Sequence, residues 1–122
     1  MRYEKAVDIE ELARRIVEKL GLVHIDLSRI GFIRSYGSKS NAVARCHALS
    51  KPLQVGLNLK AGYVIEVIAE RFDRLSHEEK IKTIIHELLH IPKSFGGGFR
   101  HHDYVKPSRI NKLFKRYMEN EE

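Results

Sequence analysis

Apolar residues along the chain fall into a few periodic runs separated by polar stretches. Ile9, Leu12, Ala13, Ile16 and Leu20 recur at helical spacing and predict an amphipathic helix over Asp8 to Leu20. Asp8 with Glu11 three residues on reads as its cap, and Gly21 as its stop. Two apolar bursts follow, Ile30 to Ile33 and Ala42 to Cys46, separated by SYGSKSN; that arrangement predicts a β-hairpin. Gln54 to Leu59 fits neither period. From Tyr63 the pattern alternates. Tyr63, Ile65, Val67 and Ala69 take one side, and Val64, Glu66, Ile68 and Glu70 the other, with the β-branched content of a strand. Ile81, Ile84, Ile85, Leu88 and Leu89 then return to helical spacing. That helix should run from about 76 to 91. Ser76 with Glu79 forms a capping box, and Pro92 disfavours helical geometry at Ile91. A last helix from about Pro107 to Met118 carries the stripe Ile110, Leu113, Phe114 and Tyr117. No repeat or linker divides the chain, so residues 1–122 are expected to form one domain. The predicted fold class is α+β: three helices on a small, mostly antiparallel sheet.

Composition narrows the setting. With 43% apolar and 31% charged residues the chain reads as globular. The apolar run GYVIEVIAE is broken by Glu66 and is too short to span a membrane, and the N-terminus has no apolar signal core. Cys46 is the only cysteine, which excludes an internal disulfide and suits the cytoplasm. Scarce Asn and Gln beside plentiful Lys, Arg and Glu lean toward a thermophilic source. A net charge of +6 permits attraction to nucleic acid or acidic proteins. Arg109, Lys112 and Arg116, with Lys106 and Lys115 near them, concentrate that charge on the last helix. A solvated helix face is the ordinary reading of such a stripe. DNA association through it is the sharper one.

The chemistry lies at His86-Glu87-Leu88-Leu89-His90. In a helix the two histidines stand one turn apart, away from the apolar stripe, with Glu87 on the flank between them. Two imidazoles at that spacing can reach one zinc ion, and the adjacent carboxylate can serve as general base. A catalytic zinc needs a third protein ligand. Gly96 stands where a metzincin would place another histidine, which excludes that class, and Glu119 sits at a fraying helix end. His101 and His102 remain, downstream of a glycine turn at 96 to 98 that can bring them back over the helix. His102 is preferred because it stands just before the last helix with Asp103 beside it as a possible partner for an imidazole.

The stretch LSHEEKIKTIIHELLHIPKSFGGGFRHHDYV resembles the SprT-like zinc metallopeptidases and, more closely, small metallopeptidases of archaea and their phages. The likeness is most specific from Tyr63 to Val105. It implies a zincin domain whose third zinc ligand is a histidine in an Arg-x-His context before a C-terminal helix. Arg100, His101 and His102 match that context with His102 as the ligand; Asp103 departs from the glycine usual after it. The implied activity is peptide-bond hydrolysis with zinc held by His86, His90 and His102 and with Glu87 as general base.

Tyr104 and His101 are candidates to assist at the oxyanion. The segment Tyr63 to Ala69 could be an edge strand to which a peptide substrate adds, or equally an ordinary core strand. His24, His47 and His77 have no implicating spacing, although His47 could approach the site, and Cys46 reads as a small buried hydrophobe. The alternative function is a basic, nucleic-acid-associated protein whose zinc is structural, against which Glu87 weighs. A metal-free interaction domain is a third reading.

Overall fold

Tyr63–Ile68 (β4) organises the sheet through its burial. Ile65, Val67 and Ile68 are 0% exposed and Glu66 only 2%, so both faces of this strand are covered. A strand with that much buried backbone must also have both edges paired, because unpaired N–H and C=O groups away from water are costly. The computed structural model, which describes residues 1–100 and 104–119, satisfies this by placing β4 between its two predecessors. Ile30–Tyr36 (β2) runs parallel to it and Ala44–Ala48 (β3) antiparallel. The expected hairpin between these predecessors therefore does not form; β4 is inserted in its middle. Two strand spacings are only about 10 Å, a gap the residues between Tyr36 and Ala44 easily cross.

Arg2–Lys5 (β1) completes the sheet on the outer edge of β2, giving the order β1-β2-β4-β3. Every residue of β1 is exposed, so the strand has no hydrophobic alternation by which a sequence pattern could find it. Two of the three pairings are antiparallel and one parallel, a mixed sheet within the expected α+β class.

Five α-helices stand where three were expected. The long ones are Val7–Leu20 (α1), His77–Leu89 (α4) and Pro107–Glu119 (α5). The other two are short: Lys51–Gly56 (α2), in the segment that fitted neither period, and Ala69–Phe72 (α3), which continues directly from β4. α1 and α4 lie on the sheet, and α5 packs on both of them. Ile30, Phe32, Ile65 and Val67 from the sheet meet Ile9, Ile16, Ile81 and Ile85 from the helices in one core. No helix among the described residues is long and apolar enough to cross a membrane.

The start of α1 differs from expectation. Its N-cap is Ala6, whose methyl group can make no side-chain cap bond; the Ala6 N–H is donated to the Phe32 carbonyl at 2.9 Å and ties the start of the helix to β2. Asp8 lies inside the first turn and accepts two bonds from the Arg34 guanidinium, at 3.1 and 3.0 Å. Arg34 also donates to Asp73 at 3.0 Å, so one half-buried guanidinium joins β2, α1 and the turn before α4. The Ser76 cap of α4 does form, with Ser76 Oγ accepting from the Glu79 N–H at 3.2 Å.

Arg34→Met should cost about 1–2 kcal/mol at neutral pH. Hydrogen bonding to Arg34 holds the Asp8 carboxyl below its ordinary pKa, against burial. This part of the stability is therefore complete above the ordinary carboxylate range and is lost as the pH falls from there through the lowered pKa of the folded state. Urea titrations at neutral and acid pH check this: the difference between variant and wild type should shrink on acidification. A constant difference would show that the ion pairs contribute nothing.

Candidate active site

The rotation of α4 follows from its buried stripe. Ile81, Ile84 and Ile85 are 0% exposed and Leu88 1%. With that stripe against the sheet, His86 and His90 emerge half-exposed at its margin, as the spacing predicted. Their Nε2 atoms are 3.2 Å apart, with ring planes 68° from parallel. Two nitrogens bound to one tetrahedral zinc at ordinary bond lengths stand about 3.3 Å apart. The separation of the pair is that of two ligands of one ion.

Glu87 is more deeply placed than the spacing suggested, at 7% exposed, because β3 lies across it. Its carboxylate takes no hydrogen bond or ion pair from the described residues. Burial alone pushes its pKa up to about 7. A buried carboxyl with no counter-charge is costly to ionise, and a cation seated at the histidines would pull it back toward the charged form.

The edge of the sheet beside this trio is β3; of the two readings open for Tyr63 to Ala69, edge or core strand, the structure takes the second, because β4 is interior. Cross-strand register places Ala44 opposite Val67 and Cys46 opposite Ile65, which puts these small side chains on the α4 face. They leave room above α4. Hollows of about 400 and 380 Å³ open there, and both are lined by Ala44, His86 and Glu87. One runs toward the start of α5, the other toward Phe99 and Arg100. Cys46 is partly exposed in the second, with its thiol pushed up to about 12 by burial and then by Glu87, which leaves it without nucleophilic character.

The opposite face of β3 is clipped to β4. Glu66 meets His47 at 2.7 Å and Arg45 at 3.5 Å. Burial would raise the Glu66 pKa, but Ser35, His47 and Arg45 outweigh it and hold the carboxyl below its usual range. His47 is thus turned away from the His86–His90 pair. His24 contacts the Ile91 carbonyl at 3.3 Å, and His77 is exposed at the first turn of α4.

Tyr63 has a role that alternation could not reveal. Its hydroxyl donates to the Gly98 carbonyl and accepts from the Gly97 N–H, both at 2.9 Å, and its ring meets Phe95 edge-on at 5.1 Å. The glycine segment is therefore held against the start of β4 rather than free. Gly97 has φ +101°, and a Cβ there would lie 2.9 Å from Gln54 Nε2 and 3.4 Å from the Leu49 carbonyl. The anchored segment sends the chain back to α4, where the Arg100 N–H donates to the His90 carbonyl at 2.8 Å. His101, His102 and Asp103 lie outside the described residues. Tyr104 does not reach the groove; it lines a separate cavity with Leu22 and Leu89. Glu119 is exposed at the end of α5. Among the described residues no three His, Cys, Asp or Glu side chains are grouped to hold a metal, so two imidazoles are what these residues supply.

A family model described as "Putative phage metallopeptidase" matches residues 1–119, and the chain belongs to that family. No curated protein and no solved structure matches it. Membership implies a metal ion and a peptide or protein substrate.

Gly97→Ala should destabilise the protein by about 1–3 kcal/mol, combining a strained positive φ with the close approach of Gln54. Gly98→Ala meets nothing within 4 Å and should be close to neutral. Chemical denaturation of the two variants side by side checks the anchoring; equal effects would contradict it.

Proposed function

We propose that this member of the phage metallopeptidase family is a zinc-dependent peptidase in which His86, His90 and His102 hold the zinc and Glu87 is the general base. The observation that carries the reading is the His86–His90 pair, with Nε2 atoms 3.2 Å apart, beside a buried carboxyl that has no partner among the described residues. Imidazole ligands suit zinc. His102 is supported by its place in the chain. It is midway in sequence between Arg100, hydrogen-bonded to the His90 carbonyl, and Tyr104, on whose ring Arg100 stacks at 3.8 Å.

Zinc, when bound, supplies a Lewis acid that polarises the scissile carbonyl and acidifies a water. Glu87 takes a proton from the attacking water and delivers it to the leaving amine. Its burial beneath β3 raises its basicity and keeps bulk water from competing for that proton. The outer edge of β3, which no described strand pairs, aligns an extended substrate by main-chain hydrogen bonds. Hollows on both sides of Glu87 accommodate chain before and after the scissile bond, so the substrate is cut internally. Phe99, 48% exposed at one end of the groove, favours an apolar side chain there.

The alternative, a nucleic-acid-associated protein with structural zinc, leaves Glu87 unexplained. A structural site closes with four protein ligands and has no use for a base.

Elemental analysis should find one zinc per chain, lost in His86→Ala and His102→Ala and kept in His101→Ala. Glu87→Gln should retain the zinc and lose at least about 10²-fold in cleavage of a disordered protein substrate. Wild type that takes up no zinc on reconstitution would sink the reading, as would undiminished cleavage by Glu87→Gln. Loss of zinc in His101→Ala instead would move the third ligand by one residue.

A further inference from the structure

Tyr104 carries two guanidinium groups on its ring. Arg100 Cζ lies 3.8 Å from the ring centroid and Arg109 Cζ 4.1 Å. Each contact is favourable by itself, but two like charges on one phenol repel. The ring forms one wall of a cavity of about 220 Å³, separate from the catalytic groove and also lined by Arg109, Lys112 and Arg116 of α5 and by Leu89. None of the described residues lining it is acidic. Arg109 Nε is buried with no hydrogen-bond partner among the described residues. A desolvated charged donor without an acceptor is a costly arrangement that an incoming anion would relieve. The positive field extends to half-buried His24. Burial lowers its pKa, and the charges of Arg100 and Lys93 push it down further against its bond to Ile91.

We infer that this cavity is a binding site for a phosphate group, held by Arg109, Lys112 and Arg116 with Tyr104 fixing the guanidinium planes. Stacking orients a guanidinium so that its N–H edge remains available as a fork. A carboxylate would neutralise only one of the cations gathered here. A phosphate monoester carries nearly two charges and enough acceptor oxygens to engage several donors at once. The hollow, walled by Tyr104, Leu22 and Leu89 as well as by the cations, distinguishes the site from a basic stripe on a flat face and suits a discrete phosphate group.

The test is thermal unfolding against inorganic phosphate, with sodium chloride added to keep ionic strength constant. Wild type should show a Tm rise of about 4 °C once phosphate exceeds its Kd tenfold. The rise should vanish in the Lys112→Gln/Arg116→Gln double variant, whose changes are at exposed positions and leave the fold intact. Arg109→Lys, which keeps the charge but loses the fork, should bind on the order of tenfold more weakly. Arg15→Gln, which removes an exposed charge from α1, should bind as wild type does. Retained binding in His86→Ala separates this cavity from the metal site and makes the outcome independent of the peptidase reading. A nucleoside 5′-monophosphate that binds better than an unphosphorylated oligonucleotide marks a terminal phosphate as the natural group; the reverse marks a phosphodiester backbone. No stabilisation by phosphate beyond that of chloride would overturn the proposal. So would equal loss in Arg15→Gln, or stabilisation unchanged in the double variant and Arg109→Lys.

Discussion

The packing of the α4 stripe on the sheet is the constraint from which the rest of the site follows. Ile81, Ile84, Ile85 and Leu88 together bury nearly all of their side-chain surface, each worth about 2 kcal/mol. In a domain whose net stability is of order 5–15 kcal/mol, no other rotation of this helix is accessible. At 100° per residue, one rotation determines where every other side chain points. His86 and His90 come to the margin and Glu87 goes beneath the strand. Chemistry that needs two imidazoles exposed and one carboxyl desolvated is thus met by the phase of a hydrophobic stripe.

The groove above α4 depends on which strand forms the edge of the sheet. Because β4 takes the interior place, β3 is left with a side that no described strand pairs, and its small residues Ala44 and Cys46 face the helix. An edge strand is ordinarily a liability. Here its far face is held by Glu66 through His47 and Arg45, so the strand stays in register while its free edge faces the groove. Tyr63 at the other end of β4 holds Gly97 and Gly98 and so directs the chain back to His90. One buried strand therefore organises both walls of the site, through a carboxylate on one face and a phenol on the other.

How much of this was legible in the sequence depended on whether the signal was local. The three long helices and β4 were found because each carries a stripe or an alternation within its own residues. Ser76 was legible as a cap because its partner Glu79 is three residues away, whereas Asp8 was misread because its partner Arg34 is 26 residues on. β1 carries no apolar pattern, and α2 follows neither period. The hairpin was expected because neighbouring strands usually pair; nothing in either strand showed that a third would enter between them.

The sequence by itself determined the spacing of His86, Glu87 and His90, the helix that presents them and the apolar face that orients it, because helical geometry converts spacing into direction. The tertiary structure alone decided that β3 is the edge, that Glu87 lies buried beneath it, that Tyr63 anchors the glycine segment, and that Arg100 and Arg109 meet on one ring. Each of these is a contact between residues far apart in the chain. Such contacts are selected by which arrangement of elements satisfies buried backbone and apolar surface together, and that competition leaves no trace in any single stretch of sequence.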